Sequence, residues 1–271
     1  MAIDFDEVPR YVRKEIEKGS RAIKQGERGQ RVLRVQEWLT HHGIHTAIDA
    51  DFGPATQRCV ERFQTAKGID ASGRVDTKTW EALVEPMRRA LQPPENVARL
   101  SPARAVRKIA QQHLKQHPIE IGGANRGPWV RLYCGGRDGP DWAWCAGFVS
   151  LVMNQAYFYL PNTSAPIKGS VSCDSLAAQG QRAGLFVPES DVTSERRSWS
   201  DFGGCCIFLR RRTATDWTHT GFALGASGPA RETVFETIEG NTNDEGSREG
   251  YEACKRTRSV VRSNYDFIAF A

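Results

Sequence analysis

The spacing of apolar residues changes character partway along the chain, and that change narrows the available folds more than any other feature. Up to Leu160, apolar positions recur every three or four residues between glycine turns, the pattern of short amphipathic helices. From Cys205 onward, the segments CCIFLRR, HTGFALG and TVFETIEG are short, rich in strand-forming residues and bounded by turn residues. Helices followed by consecutive strands predict an α+β architecture with an antiparallel sheet, because hairpin-linked strands need no crossover helix.

Three helical segments between Gly26 and Pro86 carry their own start and stop signals. GQRVLRVQEWLTHHG sets Val32, Val35 and Leu39 at helical spacing and ends on Gly43, suited to a left-handed C-cap. DADFGPATQRCVERFQTAKG opens with a turn and places Pro54 at the first helical position. It repeats apolar positions at Ala55, Cys59 and Phe63 before stopping at Gly68. GRVDTKTWEALV is led by Asp76. The last two segments echo each other: Gly53 with Thr56, and Asp76 with Thr79, each precede an apolar helical face. A module of about sixty residues has too little interior for a deep pocket, and Trp80 reads as core rather than as a ligand-stacking surface.

The run VLRVQEWLTHHG, IDADFGPATQRCVERFQTAKGI and SGRVDTKTWEAL resembles the peptidoglycan-binding type 1 module. Gln36, Phe52, Gly53, Thr56, Phe63, Gln64, Gly73, Thr79 and Trp80 stand at that family's characteristic places. Ala50 departs from the pattern where the family has glycine, which bears on one turn. The resemblance implies bacterial cell-wall peptidoglycan as partner. RRALQPPENVARLSP follows, with adjacent prolines and mixed charge, and reads as a linker. A chain of 271 residues accommodates two domains. The expected division is residues 1–86 for the N-terminal segment and helical module, 87–100 for the linker, and 101–271 for a second domain.

Charge and cysteine usage narrow the function. A formal net charge of +5 favours an anionic polymer as partner, yet no helix-turn-helix, zinc-finger, phosphate-loop or RNA-binding signature accompanies it, so nucleic acid is not expected. No signal peptide and no membrane span is read from the chain, which predicts cytoplasmic synthesis and a route to the wall by release or injection. The seven cysteines are odd in number and irregular in spacing, a poor disulfide framework. His41 and His45 flank Gly43, which interrupts the helix that would align them on a metal. Asp138 and Asp141 read as turn residues rather than calcium ligands, and Asp244 and Glu245 as loop charges. Neither a metal nor a cofactor is expected, and a monomer is.

In the second domain, SPARAVRKIAQQHLKQ reads as a capped helix with Ala105, Ile109 and Leu114 on one side and with His113 and His117 at the surface. DWAWCAGFVS then places Cys145 where a loop rich in glycine and aspartate becomes an apolar helix, with Phe148, Val149, Val152 and Ala156 as its buried stripe. The first turn of a helix stabilises thiolate over thiol, though a packed core thiol fits the same setting. A nucleophile needs a base and the base an orienting group. His219 opens the predicted strand HTGFALG at an exposed end, from which an imidazole can reach a helix start. Glu239 and Asn241, in ETIEGN, fall on one face if the strand runs through both, and either could accept the imidazole N–H, with Gly240 permitting close approach. Cysteine, then histidine, then an acidic or amide partner on the next strand is a cysteine-hydrolase order.

GGANRGPWVRLYC, WAWCAGFVSLVMNQA, DWTHTGFALG and TIEGNTNDEGSREGYEACKRTRS together resemble the cysteine, histidine-dependent amidohydrolase/peptidase (CHAP) family across residues 101–271. The resemblance implies a papain-like α+β fold, with Cys145 as nucleophile, His219 as base, Glu239 as orienting carboxylate and Asn241 as an auxiliary polar group. With the wall-binding module it implies an endolysin-like peptidoglycan hydrolase, cutting either the N-acetylmuramoyl-L-alanine bond or one within the peptide stem. An antibacterial effector of the same chemistry and a non-catalytic wall-binding or virion protein are the alternatives. For the oxyanion, the backbone N–H of Cys145 is expected as one donor; the sequence does not assign the second, for which the GGANRG loop is a candidate.

Overall fold

A computed structural model describes residues 8–17, 19–227, 233–243, 250–260 and 264–270; Asp244 and Glu245 lie outside them. The helices are α1 (Arg10–Ile16), α2 (Gln30–His41), α3 (Pro54–Ala66), α4 (Thr77–Leu83), α5 (Glu85–Leu91), α6 (Pro102–Leu114), α7 (Pro128–Tyr133), α8 (Cys145–Phe158), α9 (Cys173–Arg182) and α10 (Glu189–Thr193). The strands are β1 (Phe186–Val187), β2 (Cys206–Thr213), β3 (Asp216–Ser227), β4 (Val234–Thr242), β5 (Glu252–Ser259) and β6 (Tyr265–Ile268). The fold is α+β: a helical N-terminal region precedes a region whose six strands pair antiparallel in the order β1-β6-β2-β3-β4-β5.

The chain divides into two compact units, but not at the expected linker. Ile119–Asp141 joins the described residues up to Arg89, while Ala90–Pro118 joins those from Trp142 onward. Residues 87–100 are also not a featureless tether, since α5 reaches Leu91 and a 3₁₀ turn spans Val97–Arg99. The physical reason lies in α7. Arg131 is 8% exposed and sits between two carboxylates of the N-terminal helices, 1% and 3% exposed. Its Nε and Nη2 donate to Glu15 at 2.9 and 3.0 Å, and its Nη1 and Nη2 to Glu37 at 3.0 and 2.6 Å. Asp138 adds a third acceptor at 2.9 Å. Burial pushes the Glu37 carboxyl up, opposed by its bonds to Arg131. A charge this deep is tolerable only with such partners, and Glu15 and Glu37 lie about a hundred residues away in sequence, beyond any local pattern. Trp129 packs edge-on against Trp38 with centroids 6.2 Å apart, so α7 and α2 share an apolar contact as well.

The echo between the helical segments has a structural basis in two buried glutamines. Gln36 Nε2 donates to Asp51 O at 3.0 Å and Thr56 Oγ1 at 3.2 Å, and its Oε1 accepts from Ala50 N at 2.9 Å. Gln64 repeats the arrangement with Arg74 O at 2.8 Å, Thr79 Oγ1 at 3.0 Å and Gly73 N at 2.9 Å. Each amide thereby supplies partners for a turn that must leave the helix above it, as buried polar backbone requires. The turn residues agree too: Ala50 has φ 61° and Gly73 φ 69°. Ala50 thus adopts the same left-handed backbone as Gly73, at a steric cost of about 1–2 kcal/mol for a residue with a Cβ. Asp76 caps α4 by accepting from Thr79 N at 2.8 Å. Trp80 is core, 3% exposed, with Nε1 donating to Ile16 O at 2.9 Å. Ala55 is exposed; the buried face of α3 is Thr56, Cys59, Val60, Phe63 and Gln64.

In the second unit, α8 is buried on most sides, including Phe148, Val149, Val152 and Ala156, and Phe148 meets Phe222 of β3 with centroids 5.9 Å apart. Phe208, Phe235, Tyr265 and Phe267 form an aromatic cluster on β2, β4 and β6, joined by Phe202 from the 3₁₀ turn Trp199–Phe202. Three expectations for α6 fail. Ser101 makes no side-chain cap bond; Pro102 begins the helix instead. The buried face is turned toward Ala105, Val106, Ile109, Ala110 and His113, and Leu114 lies at its margin. His113 is fully buried and bonds Gln155 Oε1 at 2.8 Å. His117, past the helix end, is exposed.

Candidate functional site

Cys145 is the first residue of α8, after Trp144, whose carbonyl accepts from Phe148 N at 2.8 Å. The preceding loop thus hands over to a helix whose second residue, Ala146, offers its backbone N–H to the sulfur. Cys145 is 5% exposed. Its Sγ lies 3.9 Å from the Sγ of Cys173, the first residue of α9, and it hydrogen-bonds His219. All seven cysteines are free thiols.

His219 is not at an exposed strand end. β3 begins three residues earlier, at Asp216, and places His219 inside the sheet at 8% exposure, opposite Arg210 of β2. The pairing of Ala223 with Thr237 puts His219, Gly221, Thr237 and Glu239 on one face of the sheet. His219 Nε2 meets Glu239 Oε2 at 2.8 Å, which leaves Nδ1 for the thiol. A side chain at Gly221 would meet Glu239 Cγ at 2.8 Å, and one at Gly240 would meet Trp144 and Phe148 at 2.8 Å. Both glycines are there so that strands and helix can close on the site.

Glu239 is fully buried and its carboxylate is saturated. Besides His219, it accepts from Arg258 Nε at 2.8 Å, Arg258 Nη2 at 2.5 Å and Thr237 Oγ1 at 2.5 Å. Burial pushes its pKa up, but the Arg258 and His219 bonds outweigh that and hold it at about 2. An ionised Glu239 accepts from Nε2–H, which fixes the imidazole tautomer. Burial lowers the His219 pKa, yet its bonds to Cys145 and Glu239 raise it to about 9. Cys145 is held well below the ordinary thiol range, first by its hydrogen bond with Cys173 and then, against burial, by His219. Cys173 shifts the other way, pushed up by the same contact and by burial. These opposite shifts favour loss of the first proton from Cys145, toward a thiolate beside an imidazolium.

Asn241 does not join this set. The ladder slips between Glu239 and Thr242, and Asn241 sits at φ 55°, so the alternation that would align it with Glu239 is broken. It is buried, but among the described residues no hydrogen bond joins it to Cys145, His219 or Glu239. Gly122–Gly127, the GGANRG loop, belongs to the helical unit. Asp138 serves Arg131 and accepts from Gly127 N at 3.2 Å. Among the described residues no group of three or more His, Cys, Asp or Glu could hold a metal ion, and no helix is long and apolar enough to cross a membrane.

Arg258 and Cys173 are the members that sequence reasoning missed. The only signal for Arg258 is its place in the alternating strand EACKRTRS, which does not say that the guanidinium reaches Glu239. For Cys173 it is only a cysteine following a Ser172 cap.

Comparison with known proteins bears on the helical part. Residues 28–83 match the family described as "Putative peptidoglycan binding domain". This span contains α2, α3 and α4 with both buried glutamines, and peptidoglycan is the partner that the match supports. No curated protein matches the chain. Among solved structures, the chain is similar to an endolysin of Burkholderia AP3 phage, at 26% identity and a TM-score of 0.23. That alignment covers 39% of this chain and 40% of the endolysin's, so the chain spans well under two thirds of that protein.

Proposed function

We propose that the chain is a peptidoglycan hydrolase of the cysteine, histidine-dependent amidohydrolase/peptidase type, with a wall-binding helical module. The observation that carries this reading is the hydrogen-bonded run Cys145–His219–Glu239–Arg258, which ends on a thiol whose proton is easily lost. The Cys145 thiolate attacks the carbonyl carbon of a wall amide, and the C=O π electrons move onto oxygen. The backbone N–H of Cys145, unpaired within the helix at its first position, faces that oxyanion. As the intermediate collapses, the His219 imidazolium gives its proton to the departing amine and the C–N bond breaks, leaving a thioester. Neutral His219 then takes a proton from water, the hydroxide displaces the thiolate, and a carboxylate leaves. Glu239 holds the ring and balances its charge; Arg258 and Thr237 hold Glu239. The bond is the N-acetylmuramoyl-L-alanine amide or one within the peptide stem.

An insoluble mesh is presented sparsely to a soluble catalyst, so even weak wall binding by residues 28–83 raises the local substrate concentration. Purified sacculi test the reading. The parent protein should release soluble fragments with new amino termini, and Cys145→Ala should release none while still sedimenting with the walls. Equal release by both proteins would end the catalytic claim, and mass spectra of the fragments would name the bond.

A further inference from the structure

Six of the seven cysteines have no part in the hydrolytic scheme, but one of them touches it. Cys173 lies 3.9 Å, sulfur to sulfur, from Cys145. Its position is tied down on both sides. Ser172 caps α9 by accepting from Ser175 N at 3.3 Å, and Asp174 accepts from Trp217 N of β3 at 2.7 Å, two residues before His219. Both sulfurs therefore sit at the first residue of a helix, each helix anchored to the same region of the sheet. Cys145 and Cys173 are 5% and 8% exposed, so neither residue is sealed from solvent. Cys205 and Cys206, by contrast, are essentially sealed, and burial is the main cause that pushes both thiols up.

We propose that Cys145 and Cys173 form a reversible oxidation site, in which Cys173 resolves the oxidised form of Cys145 as an intramolecular disulfide. The oxidant is a hydroperoxide. The Cys145 thiolate attacks one peroxide oxygen, an S–O bond forms, the O–O bond breaks and hydroxide or alkoxide leaves; sulfur loses two electrons and the peroxide gains them. The Cys173 sulfur then attacks the Cys145 sulfur, the S–S bond forms, and the S–O bond breaks. The hydroxide that departs takes the Cys173 proton as water. A thiol reductant reverses the second bond by exchange. Side-chain rotation must bring the sulfurs from 3.9 Å to bonding distance, about 2 Å. The consequence is a wall-degrading site that is off under peroxide and recoverable afterwards, because the disulfide forms before the sulfenic acid proceeds to irreversible oxidation. The proposal rests on the thiolate character assigned to Cys145 under the proposed function.

The test treats the full chain with hydrogen peroxide, then with dithiothreitol, and compares it with Cys173→Ser, each against its own untreated activity on sacculi. Peptide mapping of the oxidised parent should find one species joining the peptides of Cys145 and Cys173 and lighter by two hydrogens. Its lost activity should return on reduction. In Cys173→Ser, the peptide of Cys145 should carry two added oxygens as sulfinic acid, and lost activity should not return. Absence of the joined peptide, or equal irreversible oxidation in parent and variant, overturns the proposal. The mapping reads the pair without any activity, so a joined peptide in a protein inert on sacculi would separate failure of the hydrolase reading from failure of this one. Peroxide-insensitive thiols in a protein that Cys145→Ala inactivates would be the opposite outcome.

Discussion

The two units each bury a cluster of charged side chains, and the clusters end differently. Around Arg131, every group is an ion partner of another: Glu15, Glu37 and Asp138 surround one guanidinium, and Arg34 reaches Glu15 at 3.2 Å. None of these is a nucleophile, and the network closes on itself. Around Glu239, the same kind of arginine–carboxylate pairing continues through an imidazole to a sulfur. A closed network spends its electrostatics on holding a segment in place, whereas an open one delivers charge to a group that can react. The difference predicts that damage to the first lowers stability and damage to the second lowers turnover.

The largest effect should come from cutting the open chain at its base. His219→Ala should slow release of fragments from sacculi by about 10²–10⁴. In the parent, activity should hold through neutral pH and fall as pH rises through about 9, where His219 loses the proton it gives to the leaving amine. A rate that keeps climbing above that pH would place the proton donor elsewhere.

Next is the closed cluster. Arg131→Ala strands two buried carboxylates and should cost about 3–5 kcal/mol, read as a lowered denaturant midpoint. A loss below about 1 kcal/mol would mean that the carboxylates simply take up protons, which the upward push on Glu37 makes easier.

Two buried histidines in one unit sharpen the contrast further. Burial alone dominates at His113 and lowers its pKa to about 4, with the Gln155 bond opposing; at His219, the Cys145 and Glu239 bonds win. Unfolded, both titrate near 6.5. Between that value and about 4, the unfolded chain binds a proton at His113 that the folded chain refuses, so this contribution to stability falls as pH drops through that window. It amounts to on the order of 3 kcal/mol at the acid end. His219 has the opposite sign: its contribution is fully present below 6.5 and is lost as pH rises through about 9. His113→Gln should flatten the acid side of the stability profile and leave the alkaline side alone.

The smallest effect tests the backbone rather than charge. Ala50→Gly relieves a left-handed alanine and should stabilise the chain by up to about 1 kcal/mol, seen as a higher thermal midpoint. Loss of stability there would mean that the added unfolded-state freedom of glycine outweighs the relief.

Much of this was legible because it is local. The spacing of Val32, Val35 and Leu39, the stops at Gly43 and Gly68, and the cap at Asp76 depend on neighbours within a turn or two, and the structure has α2, α3 and α4 where they fall. The strands around His219 and Glu239 follow from composition in the same way. The burial of His113 was not legible, because a histidine among polar neighbours on α6 looks solvated until Gln155 of another helix is brought to it. Asn241 went wrong for a related reason: a bulge in the ladder resets strand alternation, and bulges follow from pairing rather than from the strand itself.

By itself, then, the order of residues determined the helical module, the antiparallel α+β region and the types of side chain available for sulfur chemistry, since these rest on short-range periodicity and capping. Only the tertiary structure decided that Ile119–Asp141 packs with the N-terminal helices, that Arg258 clamps Glu239, and that Cys173 meets Cys145. Each of these is a contact between residues far apart in the chain, where pairing and packing offset the cost of taking polar groups out of water at a place that no local pattern encodes.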